Sequence, residues 1–233
     1  MSKALQKVKG TNNNTQKKKL CKIVKVFCEG DTEKNYIDEL KKHIDITVKI
    51  DPIDMKGGGY SNFLNKVKEQ ANIDCLIRII IVDVDRAYDS SELDNLKNLI
   101  NYCINENKKY TNDAIPYIII LNDPDFELVA CAHHPSYKKQ KTDIFIKNTL
   151  TKQNLDDFKA DKNVYTKLNK NSNSYENAIR YFKSRKNYII HHEYEKAQAP
   201  VYIKLNNMHV DYEKIGFGSS NIHEFFDVIM NFQ

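Results

Sequence analysis

Residues 75–86 read Cys-Leu-Ile-Arg-Ile-Ile-Ile-Val-Asp-Val-Asp-Arg, a run broken only by Arg78 and closed by two aspartates. Near-continuous hydrophobicity is what a central parallel strand requires when helices cover both of its faces. Working outward, residues 21–28 (CKIVKVFC) place Ile23, Val24, Val26 and Phe27 between lysines and stop at Glu29-Gly30. Residues 115–121 (IPYIIIL) form another buried strand, with Pro116 near its start, where a missing donor is tolerable. A second strand is expected at Ile46–Ile50. Between the strands, Tyr36, Ile37, Leu40 and Ile44 share one side of a helix from Thr32 to His43, capped by Asp31 or Thr32. The turn Gly57–Gly59 leads into a helix over 61–72. Leu93, Leu96, Leu99, Ile100 and Cys103 set another over 91–108, and a short apolar helix ends at His133. This strand–helix alternation over 21–133 predicts an α/β fold with a parallel central sheet flanked by helices. Such sheets carry their ligand sites at the carboxyl ends of the strands.

Charge divides the chain. Residues 1–28 hold eight Lys and no acid; 29–135 hold 12 basic and 20 acidic residues; 136–190 hold 13 and 5; and 191–233 hold 3 and 6. The expected organisation is a disordered basic tail (1–19), a catalytic core (20–135) and a basic, mostly helical C-terminal lobe (136–233). In that lobe, helices are expected at 143–150, 174–183 and 221–232, and a polar loop at 156–173. His191-His192-Glu193 lacks the spacing of a zinc helix and reads as a polar helix face. Fourteen Tyr and ten Phe argue against general disorder. No apolar run approaches the roughly 18–20 residues of a membrane span, and the lysine-rich start offers no apolar leader. Five cysteines without a C-x-x-C pair suit reduced, buried thiols in a cytoplasmic protein.

Acids gather at three strand ends: Glu29 and Glu33, then Asp83 and Asp85, then Asp123, Asp125 and Glu127. Each group alone is an ordinary cap or solvated face. Together, at adjacent ends of a parallel sheet, they repel one another unless a cation neutralises them. Mg²⁺ or Mn²⁺ suits such hard oxygen donors. Asp83 and Asp85 point the same way if the strand continues through both.

These same residues resemble the RloB-like family, in the order E-G-x-T-E-x-x-Y (Glu29, Gly30, Thr32, Glu33, Tyr36), D-x-D (Asp83, Asp85), and P-x-F-E followed by His (Pro124, Phe126, Glu127, His133). The Gly57–Gly59 turn is similar to the family's glycine-rich stretch, and Asn221-Ile222-His223 to its C-terminal segment. The match covers about residues 21–135. It departs where the family reads S-N-P-x-F-E-x-W, for Asp123 replaces the residue before Pro124 and Val129 stands at the Trp. The resemblance implies a Toprim-type fold, as in topoisomerases, primases and OLD-family nucleases. It implies Glu29 as metal ligand or general acid–base, Asp83 and Asp85 as metal ligands, and Glu33 and Glu127 as secondary ligands. It also implies a place in bacterial phage defence, sometimes beside a partner ATPase.

Other candidates stay double. His133, next to the third acidic cluster, reads as a site residue or as a satisfied core histidine. Arg86 reads as a phosphate clamp or as a salt-bridge partner. Lys138, Lys139, Lys141, Arg180, Lys183, Arg185 and Lys186, interleaved with Tyr137, Tyr165, Tyr175, Tyr181 and Tyr188, read as a nucleic-acid surface or as a solvated lysine-rich face. The expected function is a Mg²⁺-dependent nuclease that cuts DNA or RNA, tRNA included. Glu29, Glu33, Asp83, Asp85, Glu127 and His133 would be catalytic, with Glu29, Asp83, Asp85 and Glu127 on the metal. The alternative is a non-catalytic nucleic-acid sensor or regulatory subunit of an ATPase. Neither a membrane nor ATP hydrolysis is expected, and a homo-oligomer is compatible.

Overall fold

The computed structural model describes residues 23–56, 58–71, 75–109, 115–196 and 203–231. The basic tail at 1–19, Cys21, Gly57 and Asn72 lie outside the described residues. The first part alternates as expected: β1 (Ile23–Cys28), α1 (Asp31–Leu40), β2 (Lys49–Asp54), α2 (Gly59–Glu69), β3 (Ile77–Asp83), α3 (Ser90–Lys109), β4 (Tyr117–Asp123) and α4 (Phe126–Ala132). Then come α5 (Thr142–Phe145), running into a π-helical turn at Ile146–Leu150, α6 (Leu155–Lys159), α7 (Val164–Leu168) and α8 (Tyr175–Arg185). A hairpin of β5 (Ile190–Lys196) and β6 (Ile203–Val210), the short β7 (Ser219–Ser220) and α9 (Ile222–Met230) complete the chain.

The main sheet has the order β2-β1-β3-β4-β7, parallel throughout except for β7, which runs against β4. It is a Rossmann-like α/β arrangement. Strand periodicity sorts the core into two layers. Val24, Val26, Ile77, Ile79, Ile81, Ile118 and Ile120 face one way, onto α1, α4, α8 and α9. Phe27, Ile80, Val82, Tyr117, Ile119 and Leu121 face the other way, onto α2, α3 and the start of the hairpin. Even Lys25 is buried within β1, its Nζ donating to Gln70 Oε1 at 3.2 Å.

Several expectations need correction. β2 lies three residues later than expected because its apolar signal is weak; as an edge strand it also tolerates Pro52. Gly30, not Asp31 or Thr32, precedes α1 as its cap. The polar stretch 156–173 carries α6 and α7, whose Phe158, Val164, Tyr165 and Leu168 are buried. Asn154 Oδ1 caps α6 by accepting from Asp157 N. Glu39 of α1 fixes α7, accepting from Thr166 N at 3.1 Å and from Thr166 Oγ1 at 2.6 Å. His191-His192-Glu193 lies on β5, not on a helix.

The hairpin and α9 attach to the free edge of β4 through side chains. His192 Nε2 accepts from Ile119 N, so its proton sits on Nδ1 and is donated to Glu224 Oε2. Asn221 accepts from Leu121 N at 2.8 Å and donates to Ile119 O at 2.8 Å. Burial pushes the Glu224 carboxyl up, but the donors His192 and Asn221 outweigh it and hold its pKa below the ordinary value.

Candidate active site

The order of the sheet sets the carboxyl ends of β1, β3 and β4 side by side. Glu29 follows β1 directly, and its Oε2 accepts from Asp83 N at 2.9 Å, tying the ends of β1 and β3. Asp83 closes β3, and its Oδ1 accepts from Asn122 Nδ2 of β4 at 3.2 Å. The strand does not continue through D-x-D: Val84 turns to helical backbone, and Asp85 opens a 3-10 turn over Asp85–Tyr88. Pro124 O accepts from Val84 N at 2.8 Å and from Asp85 N at 2.9 Å, which fixes this turn. Glu33 and Glu127 stand in the first turns of α1 and α4, where exposed N–H groups favour negative charge.

These side chains line a cleft of about 420 Å³. Its walls include Glu29, Glu33, Asp83, Asp85, Arg86 and Glu127, with Asp156 and Lys159 from α6. Burial, reinforced by the neighbouring Glu127 and Glu29 charges, pushes Glu33 up to about 8. Asp83 is held well above the carboxylate range by burial and then by the charges of Glu33, Glu29 and Glu127. Burial raises Glu127 to about 7, Asp125 adds to the rise, and Lys159 opposes it. Glu29 is raised by burial as well. Lys159 Nζ approaches Glu127 Oε1 at 3.5 Å, whereas the buried Glu127 Oε2 has no hydrogen-bond partner.

The cleft is therefore short of positive charge, and its oxygen-only donor set fits a hard divalent cation. Among the described residues, no group of three His, Cys, Asp or Glu side chains stands gathered at ligating spacing. Binding would draw the carboxylates inward and displace their protons.

His133 does not join them. It is wholly buried; Nδ1 donates to Val129 O at 2.9 Å and Nε2 accepts from Tyr36 O–H at 2.9 Å. Burial lowers its pKa to about 4, so it is a neutral core histidine, which corrects its assignment to the site. Asp123 also turns away: its oxygens hold Tyr88 and the turn at Gly216–Gly218. Asp125 caps α4, accepting from Leu128 N at 3.1 Å.

The expected basic surface is divided. Arg86 is in the cleft, while Lys139 and Lys141 line a second groove. Lys183 and Lys186 line a third, where Lys183 pairs with Asp227. Arg180 donates to Asn177 Oδ1, and Arg185 stacks on Tyr181 with 4.2 Å to the ring centre. Tyr137 and Tyr165 are buried, and Tyr175 and Tyr181 are half-buried against the core, whereas the half-buried Tyr188 lines the third groove with Lys183 and Lys186. Sequence reasoning missed Lys159, which sits in a stretch read as loop and reaches the cleft only through the packing of α6 and α7 on α1.

Among the described residues, no helix is long and apolar enough to cross a membrane. Cys28, Cys75, Cys103 and Cys131 are buried thiols, not joined in disulfides. No family model matches the chain, and no curated protein and no solved structure is significantly similar to it.

Proposed function

We propose that the chain is a divalent-metal-dependent phosphodiesterase, a nuclease of the Toprim type like its RloB-like resemblance, acting in phage defence in the cytoplasm. The observation that carries the reading is the convergence of Glu29, Glu33, Asp83 and Glu127 in one open cleft, each with its pKa raised by burial or by the others. Glu29, Asp83, Asp85 and Glu127 would hold Mg²⁺ or Mn²⁺, and Glu33 would support them. When bound, such an ion polarises a phosphoryl oxygen and lowers the pKa of water.

The chain's own groups do the rest. Arg86 and Lys159 line the cleft and offer a phosphate two cations. Asn122 and the backbone N–H of Asp83 orient Asp83 and Glu29 for a common target. Glu33, raised to about 8, carries its proton at neutral pH while no cation is present.

The test uses wild type and the Asp83→Asn/Asp85→Asn double variant, incubated with plasmid, single-stranded DNA and total tRNA in Mg²⁺, Mn²⁺ or EDTA. Cleavage by wild type only, abolished by EDTA, is expected, together with calorimetric Mg²⁺ binding that the double variant loses. Absence of Mg²⁺ binding by wild type would refute the metal site and return the chain to a binding role beside a partner ATPase.

A further inference from the structure

Asp123 is wholly buried, yet it is a carboxylate, and burying one is costly unless donors surround it. Its Oδ1 accepts from Tyr88 O–H at 2.7 Å, and its Oδ2 accepts from Gly216 N at 2.9 Å and Gly218 N at 3.1 Å. Both elements held in this way present an aromatic ring to water. Tyr88 is 56% exposed and Phe217 57% exposed, and the one other large hydrophobic side chain so exposed among the described residues is Ile144. Phe217 stands between two glycines with φ of 91° and 70°, a left-handed turn that side chains resist. One buried acid thus fixes two open rings.

The setting of the rings points to their use. Phe217 lines a groove of about 380 Å³ with Pro124, Leu128, Tyr137, Lys139 and Lys141, and Lys139 Nζ reaches Phe217 O at 3.4 Å. The acidic cleft and this groove are both lined from α4, by Glu127 and by the next residue, Leu128. Tyr88 ends the same 3-10 turn that carries Asp85 and Arg86. An exposed ring beside lysines, as Phe217 is, recognises unpaired bases, because every base has a face to stack while the lysines follow the phosphates. In a duplex those faces are covered by neighbouring bases.

We propose that Tyr88 and Phe217 form a stacking platform that binds single-stranded nucleic acid and leads its backbone into the acidic cleft. The proposal takes its direction from the phosphodiesterase reading, but binding can be measured without cleavage. Fluorescence anisotropy in EDTA would follow labelled single strands of about twelve nucleotides, as DNA and as RNA, against a duplex of the same sequence. Phe217→Ala and Tyr88→Ala should each weaken single-strand binding about tenfold, leaving duplex binding and the salt dependence unchanged. Lys139→Gln with Lys141→Gln should instead flatten the salt dependence by about 1.4 in the log–log slope.

Phe217→Tyr, which keeps a ring, should retain the affinity; native circular dichroism spectra would show that the alanine variants fold, with Tyr88→Ala melting lower because it removes a donor to Asp123. Single-strand binding within about twofold of wild type in both alanine variants overturns the platform, as does a wild type that binds no single strand. Ring-dependent binding without any cleavage would support the platform and count against the nuclease alone. Intact cleavage with ring-independent binding would do the reverse.

Discussion

Replacing Glu33 with Gln should stabilise the protein, and only above the ordinary carboxylate pKa. Glu33 is 3% exposed and titrates at about 8, burial first and the charges of Glu127 and Glu29 next. Unfolded, it would titrate near the ordinary glutamate value of 4.5. Because the folded value is the higher one, the folded state binds more protons across this window, and stability falls as pH rises. Below pH 4.5 glutamate and glutamine should be nearly equivalent; at pH 8 the difference reaches about 4 kcal/mol as an upper bound, from 1.36 kcal/mol per unit. The cleft is open to water, and relaxation there reduces the effect to about 2 kcal/mol. For a chain of this size that is about 4–8 °C in melting temperature. Thermal unfolding followed by circular dichroism in EDTA, from pH 4 to 8.5, should show two curves that meet at low pH and diverge upward. Mg²⁺ at pH 8 should then raise wild type towards the variant, since the cation supplies the missing countercharge. Parallel curves across the whole range would refute the account of a charge-starved cleft.

Tyr36→Phe removes the one donor to His133 Nε2 and leaves a buried acceptor unpaired, so about 2 kcal/mol of stability should go. Mg²⁺ affinity, read by calorimetry, should stay unchanged, because His133 is core; a loss of metal binding would return it to the site. Asn221→Ala orphans Leu121 N and Ile119 O on the edge of β4 and should cost about 3 kcal/mol. Denaturant unfolding measures that cost, and hydrogen exchange at the Leu121 amide should accelerate if the side chain is what covers the edge.

The parallel core was legible because its strands are buried on both faces, which leaves runs such as residues 75–82 with almost no polar member. Acids at strand ends were legible for the same reason: each follows a run whose end is unmistakable. β2 was placed three residues early because an edge strand buries little and needs few apolar residues. The helices α6 and α7 are missed for a related cause, since each is a five-residue turn and they bury only one and three side chains. His191-His192-Glu193 was assigned to a helix face although His192 serves as a side-chain partner to β4. Nothing local in the sequence announces a hydrogen bond to an amide 73 positions away.

Asp123 and His133 show where motif spacing runs out. Both lie beside Glu127 in sequence, and in a linear reading both belong to the acidic constellation. The short α4 separates them: Glu127 in its first turn faces the cleft, while His133 at its end turns inward to Tyr36 and Val129. Asp123, the last residue of β4, sends its carboxylate to Tyr88 and the Gly216–Gly218 turn, whereas its neighbour Asn122 faces Asp83. Period-two alternation decides that difference, because adjacent strand residues must face opposite sides. Lys159 meanwhile arrives from outside the acidic segment altogether, seated by the packing of α6 and α7 on α1 and by the bond from Glu39 to Thr166. At 3.5 Å from Glu127 and about half exposed, it offsets only part of the charge that three strand ends bring together. That leaves the cleft with a residual demand for a mobile cation, and this imbalance, rather than any single motif, is the physical argument for a metal.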